Sequence, residues 1–291
     1  MTGGGIMARC DVCFRHCELK DGQTGACGAR AAVGGEIRPL YYGRISALAL
    51  DPIEKKPLAR FHPGSRILSV GGLGCSLRCP FCQNHEIAQR ERGVFPAETR
   101  ELSPAALAEM ADECRELGNI GVAFTYNEPL VCWEYVLDTA RLVREKNLVN
   151  VMVTNGCAES GILEQLSPYI DAMNIDLKGF TDRYYTDVLG GDRRMVMDFI
   201  REAIKHCHVE LTTLVIPGEN DSEEEMRELS RWVAGLKDVY GGKPGREIPL
   251  HISRFFPRYR MTDRKPTDVR KIHSLVKVAG EALRYVYPGN C

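Results

Sequence analysis

Three cysteines, Cys75, Cys79 and Cys82, stand at C-x3-C-x2-C spacing just after an apolar run, residues 67–70, that is typical of a strand. Cysteines this close together hold iron–sulfur clusters, because soft thiolates suit iron and a short loop can bring them to one point. A cubic cluster held by only three thiolates leaves one iron open to a ligand from outside the chain. The alternative is a zinc knuckle or three unrelated buried thiols, although structural zinc normally takes four protein ligands.

A second set of cysteines, Cys10, Cys13, Cys17 and Cys27, lies near the N-terminus among several glycines that allow tight turns. Residues 1–60 show weak periodicity, so we expect a small unit stabilised by a metal rather than by a core of its own. Four thiolates suit zinc or a second iron–sulfur cluster equally well, and four reduced thiols without metal is the remaining interpretation.

Composition narrows the class of protein. The 291 residues are 44% apolar and 26% charged, as in an ordinary globular protein, and the net charge of -1 argues against nucleic acid as the main partner. No apolar run approaches the roughly 18–20 residues of a membrane span, and the first residues lack the pattern of a signal peptide. Twelve cysteines without an export signal indicate metal binding in a reducing compartment, so we expect a cytoplasmic protein.

From residue 66 onward, strand patterns and helix patterns alternate, which predicts a parallel α/β sheet. Ser103-Pro104 and the capping box Ser222-x-x-Glu225 mark the starts of two helices. Six strands with helices between them fit a partial (β/α)6 barrel over residues 61–291. The strands are predicted at 67–70, 121–125, 150–154, 172–176, 209–216 and 249–255.

Polar residues follow several of these strands at the edge where parallel α/β sheets bind their ligands. Glu128 follows the second strand, Thr154 and Asn155 close the third, and Asp176 and Lys178 close the fourth. A carboxylate at position 128 is suited to an ammonium group in a partly desolvated site, and Lys178 to an anionic or hydroxyl-bearing ligand. The alternatives are a solvated carboxylate at a helix start and an internal Asp176–Lys178 ion pair.

Three further residues near strand ends are weaker candidates. Ile216 ends the fifth strand, where it is either core or a wall for a ligand, and Arg254 ends the sixth, where it either binds a substrate anion or is solvated. Cys157 follows the third strand and is either a hydrogen donor to a radical or a plain buried thiol.

The cysteine loop, with Phe81 just before its last cysteine, resembles the signature of the radical S-adenosylmethionine (radical SAM) superfamily. The resemblance implies a 4Fe–4S cluster on Cys75, Cys79 and Cys82 whose open iron takes the amino and carboxylate groups of S-adenosylmethionine. One electron then cleaves this cofactor to methionine and a 5′-deoxyadenosyl radical. It also implies that the partial barrel is the radical SAM core and that a reductant such as flavodoxin or ferredoxin supplies the electron.

The strand ends resemble those of glycyl-radical-enzyme activases such as the pyruvate formate-lyase activating enzyme. By this resemblance Glu128 holds the methionine amino group, and Thr154, Asn155, Asp176 and Lys178 contact S-adenosylmethionine or a nearby monovalent cation. Ile216 would border the adenine. Val153 stands where the activases carry an Asp, and Thr212 where they carry an Arg, so the cation site and one cofactor contact differ here.

A closer resemblance, covering nearly the whole chain, is to the radical SAM member of the AmmeMemoRadiSam system. It implies AMMECR-type and Memo-type partner proteins. His85 departs from it, standing where a Trp is expected. The segments that carry the resemblance are residues 10–30, 42–58, 79–84, 125–129, 174–179 and 250–255.

Three hypotheses for function follow. The first is a radical SAM enzyme acting on an unidentified small molecule or protein of that system, and the second is a glycyl-radical-enzyme activase. The third, a non-catalytic iron–sulfur or zinc protein for electron transfer or scaffolding, does not explain polar side chains at consecutive strand ends. An active site of this kind needs shielding, so we expect the N-terminal unit or a partner protein to cap the barrel mouth.

Overall fold

A computed structural model describes residues 7–89 and 98–291 of the chain. In the N-terminal part, two small antiparallel sheets pair β1 with β2 and β3 with β4. The fifth strand, β5, is a two-residue segment close to the start of the core. The five strands are β1 (Met7–Arg9), β2 (Glu18–Lys20), β3 (Arg30–Val33), β4 (Glu36–Pro39) and β5 (Arg44–Ile45).

The remaining strands build the core sheet, apart from β8, which pairs with β5. They are β6 (Ala47–Pro52), β7 (Arg66–Gly71), β8 (Arg100–Glu101), β9 (Asn119–Phe124), β10 (Val149–Thr154), β11 (Ala172–Asp176), β12 (His208–Val215), β13 (Leu250–Arg254) and β14 (Val286–Gly289). Within the described residues the core sheet has eight strands in the order β14-β13-β12-β11-β10-β9-β7-β6. The strands from β7 to β14 run parallel, and β6 runs antiparallel at the edge.

Helices alternate with the parallel strands, as the periodicity predicts. Ser103 caps one helix by accepting a hydrogen bond from the Ala106 amide, and Ser222 caps another by accepting from the Glu225 amide. Both predicted helix starts are therefore confirmed. The helices are α1 (His85–Ala88), α2 (Pro104–Glu113), α3 (Trp133–Glu145), α4 (Ser160–Leu166), α5 (Arg193–His206), α6 (Glu223–Ala234) and α7 (Val269–Gly280).

Adjacent residues of β7 belong to different apolar clusters. Leu68 and Val70 pack with the helices in the large core cluster, whereas Ile67 packs in a smaller cluster with Ala123 and Val151. Because successive strand side chains point to opposite faces, the helices cover one face of the sheet and the smaller cluster fills the other. The predicted α/β architecture with a mostly parallel sheet and its six strands are confirmed.

Two strands of the core sheet were not predicted. Strand β14 extends the parallel sheet beyond β13. Strand β6, from the N-terminal unit predicted at 1–60, pairs along all of β7, so that part of the chain contributes directly to the core sheet. Sequence reasoning missed both, because β14 carries Pro288 and Gly289, which weaken a strand pattern, and β6 follows another strand instead of a helix.

The segment after β6 is fixed inside the sheet by one carboxylate. Glu210, fully buried on β12, accepts hydrogen bonds from the amides of Ala59 and Arg60 at 2.9 and 2.7 Å. The Nε2 atoms of His208 and His251 lie 2.9 and 2.7 Å from its oxygens. Burial alone would raise the pKa of Glu210, but these hydrogen bonds lower it to about 2.

Within the described residues, no helix has the length and apolar character needed to cross a membrane.

Candidate active site

The cysteine loop leaves the sheet at the carboxyl end of β7 and is fixed by Asn127, which follows β9. Its side-chain oxygen accepts from the Gly72 amide at 2.8 Å, and its side-chain nitrogen donates to the Gly74 carbonyl at 3.1 Å. Asn84, at the far end of the loop, donates to the Tyr126 carbonyl at 2.7 Å. Both ends of the loop are thus held to the same neighbouring strand end.

The three cysteine thiols share this loop and influence one another. Burial raises the pKa of Cys79 to about 12, with Cys82 adding to the rise and Lys178 opposing it. Burial also raises the pKa of Cys75, to which Glu128 and Cys79 contribute. Thiols held this way ionise only when a bound cation compensates the charge, as iron does.

Three thiols on one short loop can hold a 4Fe–4S cluster, because thiolates are the usual ligands of such clusters. Among residues 7–89 and 98–291, no three or more His, Cys, Asp or Glu side chains converge as the ligands of one metal ion would. The side-chain Nδ2 of Asn155 also donates to the Cys75 sulfur at 3.5 Å, the kind of hydrogen bond that iron–sulfur ligands receive.

Glu128 lies beside the cysteine loop, and both oxygens of its carboxylate accept hydrogen bonds. Its side chain is 3% exposed; one oxygen accepts from Thr154 Oγ1 at 2.7 Å and from the Leu130 amide at 3.1 Å. The other oxygen accepts from the Asn155 amide at 2.7 Å. Burial raises the pKa of Glu128 to about 7 against the lowering effect of these donors. Glu128, Thr154 and Asn155 thus lie together. Glu128 does cap the helical turn Pro129–Cys132, as the alternative interpretation expects, but it is buried and not solvated. Its role toward a ligand stays a prediction.

Asp176 and Lys178 form the second polar group at the strand ends. Lys178 Nζ lies 2.9 Å from Asp176 Oδ2. Its backbone is fixed too, since the Lys178 amide donates to Tyr185 Oη at 3.0 Å and its carbonyl accepts from Asn220 Nδ2 at 2.6 Å. Burial opposes the lysine charge, but Asp176 and Cys79 outweigh burial and hold the pKa of Lys178 well above its usual value. Lys178 therefore stays charged beside the cysteine loop, and the Asp176–Lys178 ion pair of the alternative interpretation is present.

Three further predicted site residues, Phe81, Ile216 and Arg254, contact other parts of the core. Phe81 is buried, and its ring packs edge to face on Phe255 with the ring centroids 6.4 Å apart. Ile216 is fully buried in the core cluster at the end of β12. Arg254 donates from Nε to the Thr267 carbonyl at 2.6 Å. Their contacts with a ligand stay predictions.

Cys157 and His85, two further residues named in the sequence analysis, lie in unlike environments. Cys157 is 1% exposed, and burial raises the pKa of its thiol far above the usual range. His85 stacks on Tyr259 with ring centroids 4.5 Å apart, and its Nδ1 lies 3.3 Å from the Cys82 carbonyl. His85, which stands where a Trp is expected, therefore still places an aromatic ring beside the cysteine loop.

The four thiols of the N-terminal cysteine set lie near enough to influence one another electrostatically, but they do not converge as the ligands of one metal ion would. Burial raises the pKa of Cys13 to about 12, and Cys27, Cys10 and Cys17 all contribute to the rise. The Cys10 amide donates to the Cys17 carbonyl at 2.9 Å, closing the turn between them. Whether these thiols bind zinc, a second cluster or nothing stays a prediction.

The N-terminal unit lies against the cysteine loop. The Cys75 amide donates to the Cys27 carbonyl at 3.4 Å, and Arg15 donates to the carbonyls of Ser76 and Gly190 at 3.1 and 2.6 Å. Gly74 has φ +90°, and a Cβ there would lie 2.6 Å from the Ala29 side chain. The N-terminal unit therefore lies near the strand ends, as capping of the barrel mouth requires, and the capping itself stays a prediction.

Comparisons with known proteins agree with this geometry. The model of the Radical SAM superfamily matches residues 70–230. An uncharacterized protein of Methanocaldococcus jannaschii is 38% identical over 284 residues, covering 97% of this chain and 81% of the relative. The pyruvate formate-lyase-activating enzyme of Clostridium pasteurianum is 25% identical over 232 residues, covering 76% and 92%.

Solved structures share the fold. SuiB of Streptococcus suis, bound to the precursor peptide SuiA, superposes with a TM-score of 0.57 at 15% identity, covering 76% of this chain and 47% of SuiB. The family match spans more than half of the chain and includes the cysteine loop and the polar strand ends from β7 to β12. The chain belongs to the radical SAM superfamily and is an enzyme that uses a 4Fe–4S cluster and S-adenosylmethionine.

Proposed function

We propose that Cys75, Cys79 and Cys82 hold the cluster and that this enzyme abstracts a hydrogen atom from a substrate of the AmmeMemoRadiSam system. The observation that carries the site assignment is the buried Glu128 carboxylate, held next to Cys75 by donors from a neighbouring strand end. When bound, the cluster supplies the electron that cleaves S-adenosylmethionine into methionine and a 5′-deoxyadenosyl radical.

The chain's own residues bind and orient the cofactor. Glu128 accepts hydrogen bonds from its amino group, in an orientation fixed by Thr154 and Asn155. Lys178, held charged by Asp176, pairs with the cofactor's carboxylate or its ribose hydroxyls. Ile216 and Phe81 provide apolar surface near the adenine and the cluster. The monovalent cation stays a prediction without support, because Val153 offers no oxygen ligand.

Shielding is the second task of the chain. The N-terminal unit contacts the cysteine loop through Cys27 and Arg15 and so covers one side of the strand ends. Excluding water and oxygen there keeps a carbon radical from reacting before it meets the substrate. The substrate, a small molecule or a protein, would approach from the uncovered side, with AMMECR-type or Memo-type proteins as partners and a flavodoxin or ferredoxin as reductant.

A second candidate is a glycyl-radical-enzyme activase, which the similarity to the activating enzyme of C. pasteurianum favours. Such an enzyme would take hydrogen from a glycine Cα of a partner protein. The two candidates differ in the product: an activase leaves a stable glycyl radical on its partner, whereas the first candidate need not.

The experiment uses anaerobically reconstituted protein with dithionite and S-adenosylmethionine. We expect 5′-deoxyadenosine to form. Its absence would favour the third hypothesis, a non-catalytic iron–sulfur or zinc protein for electron transfer or scaffolding. Adding AMMECR-type and Memo-type proteins grown in deuterated medium then tests the substrate, since deuterium in the 5′-deoxyadenosine identifies a protein donor. A glycyl radical signal on an added partner in electron paramagnetic resonance would favour the activase instead.

A further inference from the structure

The Tyr184 side chain carries a buried polar atom that the mechanism above does not use. The residue is fully buried, and among residues 7–89 and 98–291 its hydroxyl has no hydrogen-bond partner. Leaving a buried hydroxyl unpaired costs free energy, so native structures rarely keep one without a reason. The reason can be a bound group that the hydroxyl meets only when that group is present.

The position of Tyr184 indicates which group that is. Tyr184 begins a π-helical turn, Tyr184–Leu189. Such turns are rare in proteins, and those that occur often lie at functional sites. The far end of the turn is bonded to the cysteine loop, because the Arg78 amide donates to the Leu189 carbonyl at 2.7 Å. The Tyr184 ring packs so closely on Gly179 that a Cβ there would lie 2.6 Å from it. The turn is thus fixed between the cluster loop and the residue after Lys178.

The pKa of the Tyr184 hydroxyl depends on two residues of the proposed cluster site, Cys79 and Lys178. Burial is the main cause that raises the pKa of Tyr184, and Cys79 is the next, whereas Lys178 acts against both. Cys79 is the middle ligand of the proposed cluster.

One of the other two ligating sulfurs already has a side-chain donor. Asn155 Nδ2 donates to Cys75 Sγ at 3.5 Å. Within the described part of the chain, Cys79 Sγ receives no such side-chain bond.

We infer that the Tyr184 hydroxyl donates a hydrogen bond to the Cys79 sulfur when the iron–sulfur cluster is bound, as Asn155 does to the Cys75 sulfur. This rests on the proposed cluster ligands. Donors to the sulfurs stabilise the more negative, reduced cluster and therefore raise its reduction potential. Tyr184 is thus a positioning and tuning residue that makes the cluster easier to reduce.

The test is the midpoint potential of the reconstituted full-length protein, measured by redox titration with electron paramagnetic resonance. Tyr184→Phe should lower the one-electron equilibrium constant for reduction about tenfold, equivalent to 59 mV, with unchanged iron content. Tyr135→Phe is the matched control: Tyr135 is also buried, but its hydroxyl donates to the Leu102 carbonyl at 3.0 Å, so the potential should stay at the wild-type value.

A second variant has the opposite expected sign. Replacing Tyr184 by 3-fluorotyrosine keeps the ring in place and makes its O–H a stronger donor, so the potential should rise. A Tyr184→Phe potential equal to wild type, or a shift of the same sign in both variants, would overturn the inference. A wild-type protein that binds no cluster would instead refute the proposed function, so the two failures are distinguishable.

Discussion

Replacing Glu128 by Gln tests the cofactor site most directly. The wild-type carboxylate accepts from Thr154 Oγ1 and from the amides of Leu130 and Asn155. Glutamine keeps the shape, but it loses the charge and turns an NH2 group toward a donor that needs an acceptor. Hydrogen bonds to charged groups contribute about 1.5–3 kcal/mol, and about 1.4 kcal/mol is tenfold in affinity. We therefore expect affinity for S-adenosylmethionine to fall between about 10-fold and about 100-fold.

The same substitution should change how the stability of the cofactor-free protein depends on pH. Because the folded-state pKa of Glu128 is raised from 4.5 to about 7, this group favours folding most below pH 4.5. Its contribution falls as pH rises toward about 7, by about 3 kcal/mol in all. Glu128→Gln removes that fall, so the unfolding free energy of the variant should change less between pH 5 and pH 8 than that of wild type.

The assay pairs two measurements on anaerobic protein: equilibrium binding of S-adenosylmethionine by ultrafiltration, and denaturant unfolding at pH 5 and pH 8. Glu210→Gln is the matched control, since Glu210 is also fully buried but is bonded to the segment after β6 instead of the cysteine loop. It should change stability and leave cofactor affinity unchanged. Wild-type affinity in Glu128→Gln would refute the role given to this carboxylate.

Three further outcomes follow from the structure. Glu210→Gln should cost about 3–5 kcal/mol of unfolding free energy above pH 4.5. Because the folded-state pKa of Glu210 is lowered to about 2, the difference from wild type should shrink as pH falls toward 2 in urea titrations; a constant difference would contradict the assignment. Gly74→Ala should reduce bound iron, since its Cβ would lie 2.8 Å from the Cys27 carbonyl, whereas Gly64→Ala, with a similar φ of +83° and open space, should keep iron at the wild-type level. Cys13→Ser should remove either one zinc or the several irons of a cluster in elemental analysis, according to which metal the N-terminal thiols bind, and equal metal content would refute that site.

Some of the site could be predicted because its parts are local in sequence. The C-x3-C-x2-C spacing places three thiols in one loop whatever surrounds it, and the edge at which parallel strands end gathers Glu128, Thr154 and Asn155 once the strands are located. Tyr184 could not be found this way. Its sequence context reads as an ordinary amphipathic segment, and only the packed structure shows that its hydroxyl lacks a partner.

The sequence by itself determined the alternation of strands and helices, the cysteine loop and the polar residues at the strand ends, because side-chain periodicity and ligand spacing act over a few residues. Tertiary structure alone decided that β6 joins the core beside β7 and that Cys27 and Arg15 lie against the cysteine loop. These contacts join parts of the chain that are distant in sequence. They depend on which surfaces pack together, and no local pattern records that choice.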